Sequence, residues 1–495
     1  MAGDKTTASS VGRDALLYLP GRAVPAVVQI LTITVLTAYF STEEIGRYEL
    51  SVRFLLFLAT LSALWLNMGV LRLYPAYALQ GRAAAFARET RRIRWGTVAL
   101  GALVGLGVWR FGPDSMFGSY RDLLPAAVFA FGAYTLFEMG LSFLRAQHRP
   151  GIYSIATTLN AGLRLPLAML LFTAFGFGIG GMFWALSGMY IVAYVCIVRP
   201  SIHVPQDSGN PDGADILKDM LAYGVPILGV QLLNFFMNNL DRYLLKLWEG
   251  DDAVGLYAVA SNLVEQPMTL VFQTFALAVI PSVSRCWESQ GRADTEDLIE
   301  GVVRTFFLLC APLLTMLAVL APSIFAVLAH GESSGAYVAA PWLAAASFVY
   351  GFSYFANLGL HLSKRTGILL VITVAAVGVN AAANYWLIPQ HGFIGAGIAR
   401  VVSNGVLVVF FLMAGARSLQ FRLPWLAMFR ITAASAAAGV LLFLLQSRLP
   451  ANIFTLALLG GIGMAVFGGA LLASGEVKWS DLRRGAAALR RRTGG

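Results

Sequence analysis

Residues 231–246 read Gln-Leu-Leu-Asn-Phe-Phe-Met-Asn-Asn-Leu-Asp-Arg-Tyr-Leu-Leu-Lys. Gln231, Asn234, Asn238 and Asp241 or Arg242 recur every three or four residues, so they share one helical face, while Leu232, Leu233, Phe235, Phe236, Leu240 and Leu244 cover the rest. The segment reads as an apolar helix with one polar stripe. A charged side chain near the centre of a bilayer costs about 2.5–3.5 kcal/mol, so the stripe should face protein or a water-filled cavity instead of lipid.

The chain around this helix is built of similar segments. Of its 495 residues, 58% are hydrophobic and 13% charged, and no long polar domain interrupts the apolar runs; the mean hydropathy is +0.69. A span needs roughly 17–25 residues. Candidates lie near 18–40, 46–72, 95–112, 123–145, 151–175, 178–198, 219–245, 253–281, 302–329, 336–360, 366–388, 393–415, 424–446 and 452–473. The expected fold is therefore an all-α polytopic membrane protein with about 14 transmembrane helices. Between the fifth and sixth, Gly176-Phe177-Gly178-Ile179-Gly180-Gly181 must supply the whole turn.

A net charge of +10 and a pI near 9.6 would suit a nucleic-acid binder, but the positive charge follows topology instead. Arg82, Arg88, Arg91, Arg92 and Arg94 follow the second span, and Arg483, Arg484, Arg490, Arg491 and Arg492 lie in the tail. Both groups fall on the same side of the membrane, which puts both termini in the cytoplasm. The loop at 282–304 matches its bases with acids, but acids count little in this rule. The first apolar stretch is long, lacks a small-residue cleavage pattern and is broken by Pro20, Gly21 and Pro25, so it is expected to stay as the first helix. Cys196, Cys286 and Cys310 have no metal-ligand spacing, and neither a disulfide nor a metal site is expected.

The two halves of the chain resemble each other. The first helix ends in Tyr39-Phe40, and Glu43-Glu44-Ile45-Gly46-Arg47-Tyr48 follows; the seventh ends in Leu247-Trp248, and Asp251-Asp252-Ala253-Val254-Gly255-Leu256-Tyr257 follows. Likewise Gly176–Gly181 opens the sixth helix and Gly392-Phe393-Ile394-Gly395-Ala396-Gly397 the twelfth. Because the first and seventh helices run the same way, the repeat is parallel, with its axis along the membrane normal. It predicts two six-helix lobes related by a pseudo-twofold around a central cavity. The expected organisation is an N-terminal lobe at 1–200, a cytoplasmic linker at 201–216, a C-terminal lobe at 217–416, two extra helices at 417–475 and a basic cytoplasmic tail at 476–495.

Two strings make the resemblance specific. Asn239-Leu240-Asp241-Arg242-Tyr243-Leu244-Leu245, continued through Val254-Gly255-Leu256-Tyr257-Ala258-Val259-Ala260, resembles the helix 7 to 8 hairpin of Wzx-like polysaccharide flippases, a branch of the multidrug/oligosaccharidyl-lipid/polysaccharide exporter superfamily. So does Asn380-Ala381-Ala382-Ala383-Asn384-Tyr385-Trp386-Leu387-Ile388-Pro389 with the glycine run after it. Arg400 departs from that pattern, where small apolar residues more often precede a Thr or Ser. The resemblance implies a non-enzymatic transporter of the bacterial inner membrane. Its passenger would be a polyprenyl-diphosphate-linked oligosaccharide, moved to the outer leaflet for O-antigen, capsule or exopolysaccharide assembly. A polysaccharide polymerase and glycosyltransferases would be its partners. Alternatives are a lipid II flippase, a cation-coupled multidrug exporter, which would want an acidic cavity, and a membrane polymerase or ligase, which usually needs a large outer loop that this chain lacks.

Ionisable groups within the spans mark candidate sites. They are Arg22, Arg53, Glu138, Arg164, Asp241, Arg242, Glu265 and Arg400. The resemblance places helices 1, 2, 7 and 8 around the cavity, and polar stripes agree: Arg22 and Gln29; Arg53, Thr60 and Asn67; Asn262, Glu265, Thr269 and Gln273. Arg22, Gln29, Arg53, Asn67, Asn234, Asn238 and Arg242 are the candidate passenger contacts, because guanidinium groups hold phosphate by bidentate charge-assisted bonds. Snorkelling of Arg22 and Arg53, helix capping by Asp241 and Arg242, and interhelical bonding by the asparagines are the structural alternatives. Glu265, two residues before Pro267, and Asp241 are candidates for proton or sodium coupling. Glu138 and Arg164 form an expected structural pair, and Asn380 and Asn384 are expected to pack near a helix end. The Gly176–Gly181 run follows a membrane helix instead of a strand, so it is not a nucleotide cradle. The Asp251-Asp252 pair matches Glu43-Glu44 and reads as a turn. No cofactor is expected, and with no Walker sequence, nucleophile elbow or zinc-ligand array in the chain, ATP hydrolysis is not expected.

Overall fold

The computed structural model describes residues 20–204, 214–416, 419 and 423–476. Within these residues every regular element is helical. Twelve stretches are long and apolar enough to cross a membrane. Two further helices complete the expected fourteen. The arginine-rich third helix carries too much charge to meet that measure, and the stretch Thr366–Gly415 is two helices broken at Gly392. The protein is therefore a multi-pass, all-α membrane protein. Its helices are α1 (Pro20–Tyr39), α2 (Thr42–Leu79), α3 (Ala83–Phe111), α4 (Leu124–Ala146), α5 (Pro150–Thr173), α6 (Gly181–Ala193), α7 (Ala214–Glu249), α8 (Asp251–Ser289), α9 (Arg292–Val319), α10 (Ala340–Ala356), α11 (366–391), α12 (393–415), α13 (Trp425–Gln446) and α14 (Ile453–Ala473).

Sequence signals explain where these helices begin and break. Ser41 opens α2 with a capping box: its side chain accepts from the Glu44 N–H, and the Glu44 carboxylate accepts from the Ser41 N–H. Glu43 and Glu44 in the first turn of α2, and Asp251 and Asp252 in that of α8, complement the positive ends of the helix dipoles. Between α5 and α6 the glycine run forms one short turn, with Gly176 and Gly178 both at positive φ. Gly392 separates α11 from α12 with φ 55° and ψ −138°, a backbone state that other residues reach only under strain. The third helix is longer than its apolar length suggests, because the basic stretch before residue 95 is helical too.

The chain divides into two compact units after Ala258, inside α8. In the first, α1 packs on α5, α5 and α4 on α6, and α2 on α4 and α7. A core of Trp65, Tyr74, Tyr77, Phe86, Ile216 and Met220 joins α2, α3 and the start of α7. Tyr77 adds a hydrogen bond from its hydroxyl to Asp219 at 2.7 Å. In the second unit, α10 packs on the α11–α12 stretch, α9 on α10 and α13, and α13 on α14, around Ala311, Ile431, Ala434, Ala438, Phe467 and Leu471. The packing boundary differs from the start of the sequence repeat at 217, because α7 lays its apolar face on α2 and α3. Residues 205–213 of the expected linker and 477–495 of the expected tail lie outside the described residues.

The two repeated hairpins meet inside the first unit. A Cβ on Gly46 would run into the Asp251 carbonyl, and one on Gly255 into the Thr42 carbonyl, so the matched glycines let the starts of α2 and α8 touch backbone to backbone. Around this crossing, Thr42 donates to Asp252 at 2.7 Å, while Lys246 at 2.7 Å and Arg47 at 3.8 Å both face Asp251. Gly255→Ala is expected to lower stability by about 1–3 kcal/mol through overpacking. Gly301→Ala, at an open position on α9, should raise it by up to about 1 kcal/mol. Thermal unfolding of the purified variants in detergent measures both.

Candidate functional site

The polar stripe of α7 divides into two parts. At one end lies a closed charge network in which α2 supplies Glu49 and Arg53 one turn apart, α7 supplies Asp241 and Arg242, and α8 supplies Tyr257. The Glu49 Oε1 atom accepts from Arg53 Nε at 2.9 Å and from Arg242 Nε at 3.1 Å, and a second Arg53 nitrogen also bonds it. Arg242 further reaches Asp241 Oδ1 at 3.4 Å and the Asn238 carbonyl at 3.2 Å. Its guanidinium lies 5.2 Å over the Tyr257 ring, and the Tyr257 hydroxyl donates to Asp241 Oδ2 at 2.6 Å. Glu49, Asp241, Arg242 and Tyr257 are all buried, whereas the Arg53 side chain keeps 20% of its surface exposed.

Two arginines and two carboxylates cancel in formal charge. A buried pair of this kind gains little over an apolar replacement, yet loss of one partner leaves an uncompensated charge and costs about 3–5 kcal/mol. The network thus holds α2, α7 and the start of α8 in register. Arg242 is enclosed in it, and Arg53 is its more open arginine.

The rest of the stripe is more open. Asn234 is exposed, Gln231 and Asn238 are half-buried, and Asn238 donates to the Asn234 carbonyl at 2.8 Å. Asn239 turns inward and donates to the Phe235 carbonyl at 2.8 Å. On α2, Asn67 is buried with its Oδ1 lacking a hydrogen-bond partner. It follows a π-helical turn at Thr60–Leu64, the kind of helix irregularity often found at functional positions.

The remaining intramembrane charges fall into two groups. In the first unit, Arg22 on α1 is half-buried, with no ion pair to a described residue; Gln29, about two turns further along the same face of α1, is half-buried as well. Arg164 on α5 stands beside Tyr48 and Tyr190, whose rings pack against Phe183 and Phe137. The expected pairing of Arg164 with Glu138 is not formed. The cation acting on Glu138 is Arg145, about two helical turns along the same helix, while Arg164 faces tyrosine hydroxyls on α2 and α6. In the second unit, Glu265 of α8 pairs with Arg400 of α12, and the Arg400 carbonyl accepts from Ser403. Asn380 donates to Ser403 at 3.0 Å and Asn384 to the Asn380 carbonyl at 2.9 Å, a buried polar chain linking α11 and α12.

Sequence reasoning omits Glu49 from the charges within spans and leaves Arg400 without a role. The first was detectable: Glu49 precedes Arg53 by four residues, the spacing of a helical ion pair. The contacts with Arg242 and between Glu265 and Arg400 join residues 193 and 135 positions apart, which local spacing does not reveal. A double-mutant cycle of Glu49→Ala and Arg242→Ala, read by unfolding in detergent, is expected to give a coupling of about 1–3 kcal/mol. Additive effects would mean that the two side chains do not act together.

Comparison with known proteins fits this architecture. The profile of the family described as "Polysaccharide biosynthesis protein" matches residues 133–332. No curated protein matches the chain. Among solved structures, an inward closed conformation of the lipid II flippase MurJ is similar with a TM-score of 0.76 and 13% identity, covering 92% of this chain and 98% of that one. An inward-facing multidrug resistance MATE family transporter of the MOP superfamily gives a TM-score of 0.62 at 16% identity, covering 81% and 97%. A MOP superfamily transporter from Pyrococcus furiosus gives 0.54 at 15% identity, covering 82% and 94%. The chain thus has a fold similar to that of MurJ and the MATE transporters, and its residues 133–332 are similar to the family described as "Polysaccharide biosynthesis protein".

Proposed function

We propose that the protein flips a polyprenyl-diphosphate-linked oligosaccharide from the cytoplasmic to the outer leaflet for assembly of a surface polysaccharide. The reading rests on the polysaccharide-family match within a flippase-type fold. One observation carries its chemistry. Arg22 is half-buried within a membrane helix and makes no ion pair with a described residue, and Arg53 keeps 20% of its side chain exposed beside Glu49. Such charges are costly in a bilayer and persist where they meet water or an anion. The passenger's diphosphate is that anion, and its prenyl chain stays in lipid while the sugars cross along a polar route.

In this reading Arg22 and Arg53 meet the diphosphate, and Gln29, Asn67, Asn234 and Asn238 meet sugar hydroxyls. The Arg242–Glu49 network keeps the route's wall in place. The hairpin crossing at Gly46 and Gly255 acts as a gate on the outer side, opened and closed as the protein exposes its passenger alternately to each leaflet. Both termini lie in the cytoplasm of a bacterial inner membrane, and a polymerase and glycosyltransferases work beside the protein. Glu265 couples the cycle to a proton or sodium gradient through exchange of its bond with Arg400, and Asp241, held by Tyr257, is the second coupling candidate.

A lipid II flippase is the second reading, favoured by the MurJ match, which covers 92% of this chain. Both passengers carry the same diphosphate, so the sugar portion separates the two readings.

Arg22→Ala and Arg53→Ala are expected to lower flipping per folded protein in proteoliposomes by about tenfold or more, since a hydrogen bond to a charged group contributes about 1.5–3 kcal/mol. Arg22→Ala should leave the folded yield unchanged, whereas Arg53→Ala, which takes one cation from Glu49, should lower it. Lysine at either position should restore only part of it, because it lacks the bidentate fork. Wild-type flipping by both alanine variants would sink the phosphate role. For Glu265→Gln, the expected result is flipping that no longer responds to the ion gradient; an unchanged response would remove its coupling role.

A further inference from the structure

The arginines that precede the apolar length of α3 are not all solvated. Ala87, Arg91 and Arg94 stand at i, i+4 and i+7, so they share one face, and that face lines a cavity of about 50 Å³ together with Gly140 and Phe143 of α4 and Tyr194. A water needs roughly 10–15 Å³ of such space, so the cavity takes several waters or one phosphate-sized group. Arg94 is 4% exposed. Its Nε has no hydrogen-bond partner, and no carboxylate among the described residues pairs with it. The neighbours that it has are the Trp95 ring, 5.1 Å away, and the Tyr194 hydroxyl.

A buried guanidinium without an anion carries a desolvation penalty of several kcal/mol. The nearby acid Glu89 faces Arg92 instead, at 3.7 Å. Tyr194 begins a second π-helical turn, Tyr194–Val198, which shapes the far wall of the cavity. Arg91 in the cavity wall and Trp95 beside Arg94 are exposed, and an exposed tryptophan near the end of a membrane helix marks the headgroup level. Beyond it Leu100, Leu103 and Leu106 of α3 turn outward, as acyl chains require.

We propose that Arg91 and Arg94 bind the phosphate of an anionic membrane lipid, a site separate from the passenger route. Basic pockets between membrane helices take anionic headgroups in this way. The wild-type protein in zwitterionic micelles is titrated with phosphatidylglycerol, phosphatidylcholine or inorganic phosphate, and thermal unfolding is followed. Phosphatidylglycerol should raise the midpoint by about 2–4 °C or more, and the other two should leave it unchanged. The increment should vanish in Arg91→Gln and Arg94→Gln and persist in Arg92→Gln. Should Arg94→Gln not fold, Arg91→Gln carries the test, because that side chain is exposed. An equal increment from phosphatidylcholine, or one retained in Arg91→Gln, overturns the site. An equal increment from inorganic phosphate overturns the lipid as its source.

Discussion

A bilayer has no water with which to stabilise a charge, and most of this molecule's polar architecture answers to that fact. Glu49 illustrates it. One carboxylate accepts from Arg53 on its own helix and from Arg242 on α7, while Tyr257 and Asp241 complete the far side of Arg242. Remove that carboxylate and two guanidinium groups face each other inside an apolar bundle. With it in place, α2 and α7 carry charge through a region where neither could alone. Glu265 and Arg400 do the same for α8 and α12.

The neutral network changes the meaning of the cations that remain. Counting arginines along the chain gives an apparently strong positive excess on helices 1, 2, 5, 7 and 12. Once Arg242 and Arg400 are matched with Glu49 and Glu265, the excess rests on Arg22 and Arg164, with Arg53 between the two roles. Those half-buried arginines and the open asparagines of α7 offer more to a passenger than the enclosed Asp241–Arg242 pair. Arg94 stands apart from both sets, at the headgroup level, and calls for an anion of its own.

Fold and site differ in how far they could be read from the chain. Helix number and order follow from apolar length, and the breaks fall where Ser41, Gly176–Gly181 and Gly392 make them, because capping and backbone freedom are local properties. The matched hairpins also identify a real meeting point, since Gly46 and Gly255 each admit the other's backbone. Side-chain partnerships are another matter. Glu138 and Arg164 have suitable charges on adjacent helices, yet Arg164 meets Tyr48 and Tyr190, because rotation about the helix axes decides which faces oppose. That rotation is set by packing over the whole unit, as it is for Glu49 with Arg242.

The most direct measurement is flipping by the purified wild-type protein in proteoliposomes that carry a polyprenyl-diphosphate-linked oligosaccharide, lipid II or a cationic drug in separate samples. The account predicts transfer of the oligosaccharide lipid between leaflets, competition by other polyprenyl diphosphates, and no movement of the drug. Transport of the drug without movement of either diphosphate lipid would contradict it.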